Sequence, residues 1–323
     1  MARIRSRLRL EPLTVFGMPT AGPVGAGLIP ITGQQWFVDP NADVAPWKKA
    51  FGTGKAEDRP FETLEEGLDA CNTGDTIFIT GNIREEGLIC SNLKFDVKII
   101  GVGGQHHPDQ PSSAYHPGAA VIRPPASPAG ATSLLVVRGR GWEFHNIMFD
   151  VPVDAAAIEL VRNALATTSE YDASHAAIGN CRFTDGHFAI QNNGGCGFVR
   201  VLGNRFQRLT AAAGSCAIRC SSTSVAVPLN WVIDDNEFHN NSSHILSSMS
   251  YSTIRRNTFG RFTQTLSVDI YNQPSAGQGE YNVIWNNYLS GTYNTATNPA
   301  GSNNEWGGNF NSLSGGVTAA DPA

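Results

Sequence analysis

Five acidic residues and two arginines fall where they could do chemistry together: Asp185, Asp234, Asp235, Glu237 and Asp269, with Arg255 and Arg256. Two or three carboxylates on one face, one protonated and one ionised and about 5–10 Å apart, can cleave a glycosidic bond by general acid and base. An arginine made basic by its surroundings, beside acids that neutralise a uronate or hold Ca²⁺, can instead take the proton in an elimination. Either reaction would draw on Asp185, Asp234, Asp235, Arg255 and Asp269. The same groups at chain bends also form ion pairs with no chemistry, and that is the simpler use of them.

Other constellations are weaker. His106, His107, Asp109 and His116 lie in a Gly- and Pro-rich insertion without a regular ligand spacing, so no metal is expected there. Cys216 and Cys220 are four residues apart, which along a strand is about 13 Å, too far for a shared metal or a disulfide. With six cysteines and no Cys-x-x-Cys pair, the thiols read as buried and reduced. Gly101-Val102-Gly103-Gly104 follows an apolar run but leads into Pro-rich sequence, so it reads as a tight turn between elements and not as a nucleotide loop. No cofactor is expected.

The elements that would position these groups show in an internal repeat: an aliphatic residue, two residues, a polar position, one residue, an aromatic. Val201, Asn204 and Phe206 form one copy, followed by Ile233, Asn236 and Phe238, by Ile254, Asn257 and Phe259, and by Val283, Asn286 and Tyr288. Two upstream copies, Phe144-Ile147-Phe149 and Ile178-Cys181-Phe183, keep the frame. The final aromatics are separated by 34, 23, 32, 21 and 29 residues. So uneven a period excludes a fixed-length helical repeat and suits a β-solenoid, whose short strands stay in register while loops vary. Stacked coils would place the aromatics in a core column, and Asn204, Asn236, Asn257 and Asn286 in a ladder passing amide hydrogen bonds from coil to coil, with Cys181 at its capping position. Ahead of the repeat, residues 60–71 carry Phe61, Leu64, Leu68 and Cys71 on one helical face.

Composition agrees. Charged residues are only 16% of the 323, glycines number 34, and the net charge of −5 makes nucleic acid an unsuitable partner. No apolar run is long enough to span a membrane or serve as an export signal, so no membrane partner is expected.

On these motifs the chain resembles the right-handed parallel β-helix proteins of the pectin-lyase-like superfamily. The Trp-Phe-Val-Asp at 36–39, Pro-Phe-Glu-Thr-Leu at 60–64 and Gly-Asp-Thr-Ile-Phe-Ile-Thr-Gly at 74–81 are similar to the N-terminal capping region of many members, phage tailspikes included. The resemblance spans residues 36–290 and implies an all-β fold. The expected architecture is a right-handed single-stranded parallel β-helix, with an N-terminal capping helix, an extended N-terminal arm and an extended C-terminal tail. Such folds host lyases, hydrolases, epimerases and inert virion parts. Polygalacturonase-like members carry Asn-Thr-Asp, Asp-Asp, Gly-His-Gly and Arg-Ile-Lys in successive coils. Only Asp234-Asp235 matches; Asp185-Gly186-His187 is a distorted echo and Arg255-Arg256 departs from the basic motif, so no catalytic role carries over.

The expected divisions are a docking arm over 1–35, a cap over 36–90, the β-helix over 91–290, and a tail over 291–323 that covers the last coil or a neighbouring subunit. In the arm Arg3, Arg5, Arg7 and Arg9 alternate with Ile4, Leu8 and Leu10, a pattern suited to a strand added to another protein, and no Lys or Arg follows Arg261. These features lead us to expect a structural surface protein of a tailed phage, a head-decoration protein or short spike. It would be assembled in the host cytoplasm as a homotrimer and docked through its arm on a capsid or tail protein. The alternative is a tailspike lyase or glycoside hydrolase acting on host surface polysaccharide.

Overall fold

The computed structural model describes residues 33–40, 54–55, 60–103, 120–163, 171–221, 227–260, 268–272, 279–289 and 304–311, with short strands at Thr14–Val15, Met18–Pro19 and Gly316–Thr318. The arm residues Arg3, Ile4, Arg5, Arg7, Leu8, Arg9 and Leu10 lie outside the described residues, as do His106, His107, Asp109 and His116.

Strands of two to six residues alternate with bends, and each inner strand pairs with its equivalent one coil earlier and one coil later. Among the described residues three large sheets result, of ten, ten and seven strands, whose parallel neighbours are separated in sequence by a full coil. Sheet 1 runs from Gln35–Val38 through Thr76–Ile79, Lys98–Gly101 and Glu143–His145 to Glu305–Gly307, parallel throughout. Sheet 2 runs from Asn82–Arg84 to Asn309–Asn311 and its last strand Gly316–Thr318, and sheet 3 from Leu88–Cys90 to Val268–Asn272. The only helix among the described residues, α1 (Leu64–Ala70), packs Leu64, Gly67 and Leu68 inward at the first coils. It starts later than Pro60, because Thr63 and Glu66 form a capping box that fixes its first turn.

Side chains alternate in and out along each strand, and stacking puts equivalent inward residues above one another. Phe149, Phe183, Phe206, Phe238 and Phe259 form a column with centroid spacings of 4.8, 5.0, 4.8 and 4.7 Å, every ring fully buried. Each contributes about 1.5–3 kcal/mol by burial. The next inward residue is Leu289, which pairs with Phe259. The repeat therefore continues as Ile284, Asn287 and Leu289, one residue later than the Val283-Asn286-Tyr288 frame read from the sequence. An aliphatic residue replaces the aromatic here, while exposed Tyr288 beside it imitates the motif.

The ladder is built from buried amides. Asn204 N–H donates to Asn236 Oδ1 (2.8 Å), Asn236 N–H to Asn257 Oδ1 (2.9 Å), Asn257 N–H to Asn287 Oδ1 (2.9 Å) and Asn287 N–H to Asn309 Oδ1 (2.9 Å). Each Nδ2 also donates across the bend, as from Asn236 to the Val201 carbonyl. Cys181 starts the ladder by donating its N–H to Asn204 Oδ1. Asn286 is not a member; it is exposed, in the left-handed region at φ 56°. A second ladder, unforeseen in the sequence, runs at another corner from Ser252 to Asn282 and Asn304.

The solenoid extends past residue 290. Glu305–Gly307 pairs with Val283–Trp285, and Asn309–Asn311 with Tyr288–Leu289, so 304–311 form a further coil with Trp306 in the core. The boundary expected at 290 thus moves, and Trp306 and Phe310 belong to strands of that coil. Gly316–Thr318 then pairs antiparallel with Asn309–Asn311.

Coil contact explains Gly101. A Cβ there would stand 2.1 Å from the Asn146 carbonyl oxygen, a main-chain atom that cannot swing aside. Gly101→Ala should lower the unfolding temperature, by about 1–3 kcal/mol in stability. Differential scanning calorimetry that found no change would refute this close approach.

Candidate functional site

The outer face of sheet 1 collects the charged groups. Two rows run along it. One contains Lys98, Glu143, Arg200 and Glu305; the other contains His145, Gly179, Leu202, Asp234, Arg255 and Trp285.

Asp234 ends a sheet 1 strand and Asp235 takes the following left-handed bend at φ 55°; Arg255 and Arg256 repeat this placement one coil on. Register alone therefore pairs them. Arg255 Nε donates to Asp234 Oδ2 (2.9 Å), and Arg256 binds both Asp234 (2.5 Å) and Asp235 (2.9 Å). Asp234 is buried, and its Oδ1 has no partner among the described residues. Asp185 lies at a different corner, beyond sheet 2, where Arg208 grips it with two bonds of 2.7 and 2.9 Å. The bond to Asp185 raises the Arg208 pKa, and Asp235 does the same for Arg256. Asp269 lies on sheet 3, in Val268–Asn272. The structure thus unites Asp234, Asp235 and Arg255, adds Arg256, and leaves Asp185 and Asp269 elsewhere.

No protein-family model and no curated protein matches the chain. Among solved structures it is similar to the Dettilon tailspike protein, with a TM-score of 0.40 and 14% identity over 88% of this chain and 56% of that one. It is similar also to an alginate lyase from Paenibacillus sp. (0.34, 14%, 77% and 92%) and to an iota-carrageenase from A. fortis (0.40, 12%, 81% and 58%). The fold is the right-handed parallel β-helix. The chain spans just over half the length of that tailspike and of that carrageenase.

Sequence reasoning missed a second group on the same face of the β-helix. Glu143 Oε2 lies 3.0 Å from His145 Nε2, with Lys98 one coil below and Arg200 two coils above. Burial raises the Glu143 carboxyl, but the His145 bond and the charges of His145, Lys98 and Arg200 outweigh it, and the pKa falls below the usual glutamate value. Gly179, next in the His145 row, leaves room for the ring: a Cβ would come within 2.9 Å of Nδ1. The signal was present in the sequence, since Glu-Phe-His occurs twice, at 143–145 and at 237–239, each time flanking an inward phenylalanine. At the second copy the His239 bond lowers the Glu237 pKa, against burial, with help from Arg205.

A carboxyl whose folded pKa lies below its unfolded value, about 4.3 for glutamate, contributes stability that is fully present above that value. The contribution is lost as pH falls through the folded pKa. Both Glu143 and Glu237 act in this direction. Unfolding temperature should therefore drop as pH falls below about 4.3, and Glu143→Gln should shrink that drop; an identical acid limb in the variant would refute the assignment.

The six thiols are free and buried. Burial pushes Cys71 up to about 11 and Cys181, Cys196 and Cys216 up to about 12, so they stay protonated near neutrality. Cys216 joins a small outer cluster with Ala156 and Phe188, whereas Cys220 faces the main core. Among the described residues no three His, Cys, Asp or Glu side chains converge on a metal position, and no helix is long and apolar enough to cross a membrane.

The corner before sheet 1 carries a row of left-handed residues, each three positions ahead of an inward residue of the repeat: Gly141, His175, Phe198, Asn230, Tyr251 and Tyr281. A non-glycine residue in this region costs roughly 1–2 kcal/mol, and aromatic residues occupy it in this row while remaining solvent-exposed. Extending the repeat unit three residues upstream would have found this row.

Proposed function

We propose that the chain is a structural surface protein of a tailed-phage particle, a head-decoration protein or short spike docked through residues 2–10. One observation carries the reading: the three aspartates Asp185, Asp234 and Asp235 are each bonded to an arginine of the adjacent coil. Carboxylates so engaged are held by arginine and turned away from a substrate, and pairs between coils suit a rigid support. Quantitative mass spectrometry of purified particles tests it. A copy number near that of the major shell protein means decoration, and a handful per particle means a spike. Absence from particles overturns the reading. Removing residues 2–10 should abolish particle association without changing thermal unfolding.

The cluster of Lys98, Glu143, His145 and Arg200 favours a second reading, a polysaccharide lyase, because it puts a carboxylate, an imidazole and two cationic side chains on one face. Alginate and pectate incubated with the chain would then yield unsaturated ends absorbing in the ultraviolet. Loss of that signal in Glu143→Gln would support the lyase, and no signal from the unaltered chain would reject it for these substrates.

A further inference from the structure

We propose that the corner before sheet 1 holds a slot for a single pyranose ring of a glycan chain, between Phe198 and Tyr251 and floored by Asn230. The inference stands on this corner alone and does not depend on where the protein is located.

Successive coils place His175, Phe198, Asn230, Tyr251 and Tyr281 in one row, all with φ between 54° and 64°. Hydrogen bonds from each main-chain N–H to the following coil fix the order, as from His175 to Gly197, Phe198 to Leu229, Asn230 to Ser250 and Tyr251 to Glu280. Where rings occupy adjacent coils they stack: His175 on Phe198 at 4.8 Å and 4°, Tyr251 on Tyr281 at 5.0 Å and 11°. Asn230 interrupts the column, so Phe198 and Tyr251 stand two coil steps apart, about 9–10 Å. A ring needs about 3.5–4 Å of contact on each side. One ring fits between them, and two do not.

The lining selects the kind of ring. Phe198 and Tyr251 are 52% and 57% exposed, so their faces are available, and Asn230 is exposed with a side chain that makes no hydrogen bond to the described residues. A pyranose presents C–H faces to aromatic rings and a rim of hydroxyls to an amide. A nucleobase would also stack, but it brings phosphates to a chain of net charge −5 and to a row without lysine or arginine.

The slot also has an exit. Along the Asn230 strand the outward residues are Val232 and then Asp234; Arg200 and Arg255 lie on the coils either side. A glycan leaving the slot would cross sheet 1 over Val232 towards the Asp234–Arg255 pair, about 13 Å on, where charged groups can meet the hydroxyls or carboxylate of a further sugar.

Saturation-transfer NMR and calorimetry on the full chain would test this, with oligosaccharides from dextran, alginate and pectate as probes and a thymidine oligonucleotide as comparison. At least one oligosaccharide should bind, with Phe198→Ala and Tyr251→Ala each weakening it by about tenfold. Asn230→Tyr, which fills the gap with a residue already tolerated at Tyr251 and Tyr281, should abolish binding while thermal unfolding stays the same. The proposal is overturned if none of the oligosaccharides binds at millimolar concentration, or if Asn230→Tyr binds as tightly as the unaltered chain. It is overturned equally if the effect of Asn230→Tyr is confined to oligonucleotide binding or to self-association in sedimentation.

Discussion

Asn236→Leu should remove a large part of the stability of the protein. The side chain is buried, accepts from both the main-chain and side-chain N–H groups of Asn204, and donates to the Val201 carbonyl and to Asn257. Leucine fills nearly the same space, so the loss is polar: buried groups on the coil below lose their partner, at about 1–3 kcal/mol each. Two such losses reach about 2–6 kcal/mol, against a usual folding margin of about 5–15 kcal/mol. Urea unfolding should show a much lower midpoint, or the variant should fail to accumulate. Asn287→Leu should behave alike, whereas Asn286→Leu, at an exposed corner one residue away, should cost far less. Equal effects at 286 and 287 would refute a ladder that runs through Asn287.

The second large effect is expected at Phe206. Its ring is fully buried between Phe183 and Phe238, at 5.0 and 4.8 Å, and truncation leaves a cavity in a column that neighbouring coils cannot collapse without losing register. Phe206→Ala should cost about 3–5 kcal/mol. Phe206→Leu should cost less, because the same column already accepts Leu289. Thermal denaturation of both variants provides the check; an alanine variant within about 1 kcal/mol of the original would mean that the column is not the core.

The solenoid was legible because its period is written in inward side chains. Phe183, Phe206, Phe238 and Phe259 identify one column, and Asn204, Asn236 and Asn257 the ladder, since burial admits few residue types at either place. The reading failed where that constraint weakens. Leu289 replaces an aromatic, so exposed Tyr288 draws the last copy out of frame, and the coil at 304–311 reads as a tail because Asn311 stands where earlier coils have an apolar residue. Outer faces carry no such constraint. Asp234, Asp235 and Arg255 could be named as candidates, but whether they formed a catalytic set or ion pairs depended on a register that only stacking defines. Glu143 and His145 went unnoticed because their meaning comes from Lys98, 45 residues earlier, and from Arg200, 57 residues later.

Parallel strands stacked coil on coil have no natural end: the upper edge of each sheet is a template for one more layer, from the same chain or from another molecule. The reversed strand Gly316–Thr318 changes what sheet 2 offers there. Its hydrogen-bonding pattern runs the opposite way, so an incoming first coil would meet the wrong spacing of donors and acceptors. In the language of polymers it acts as a chain stopper at that edge of sheet 2.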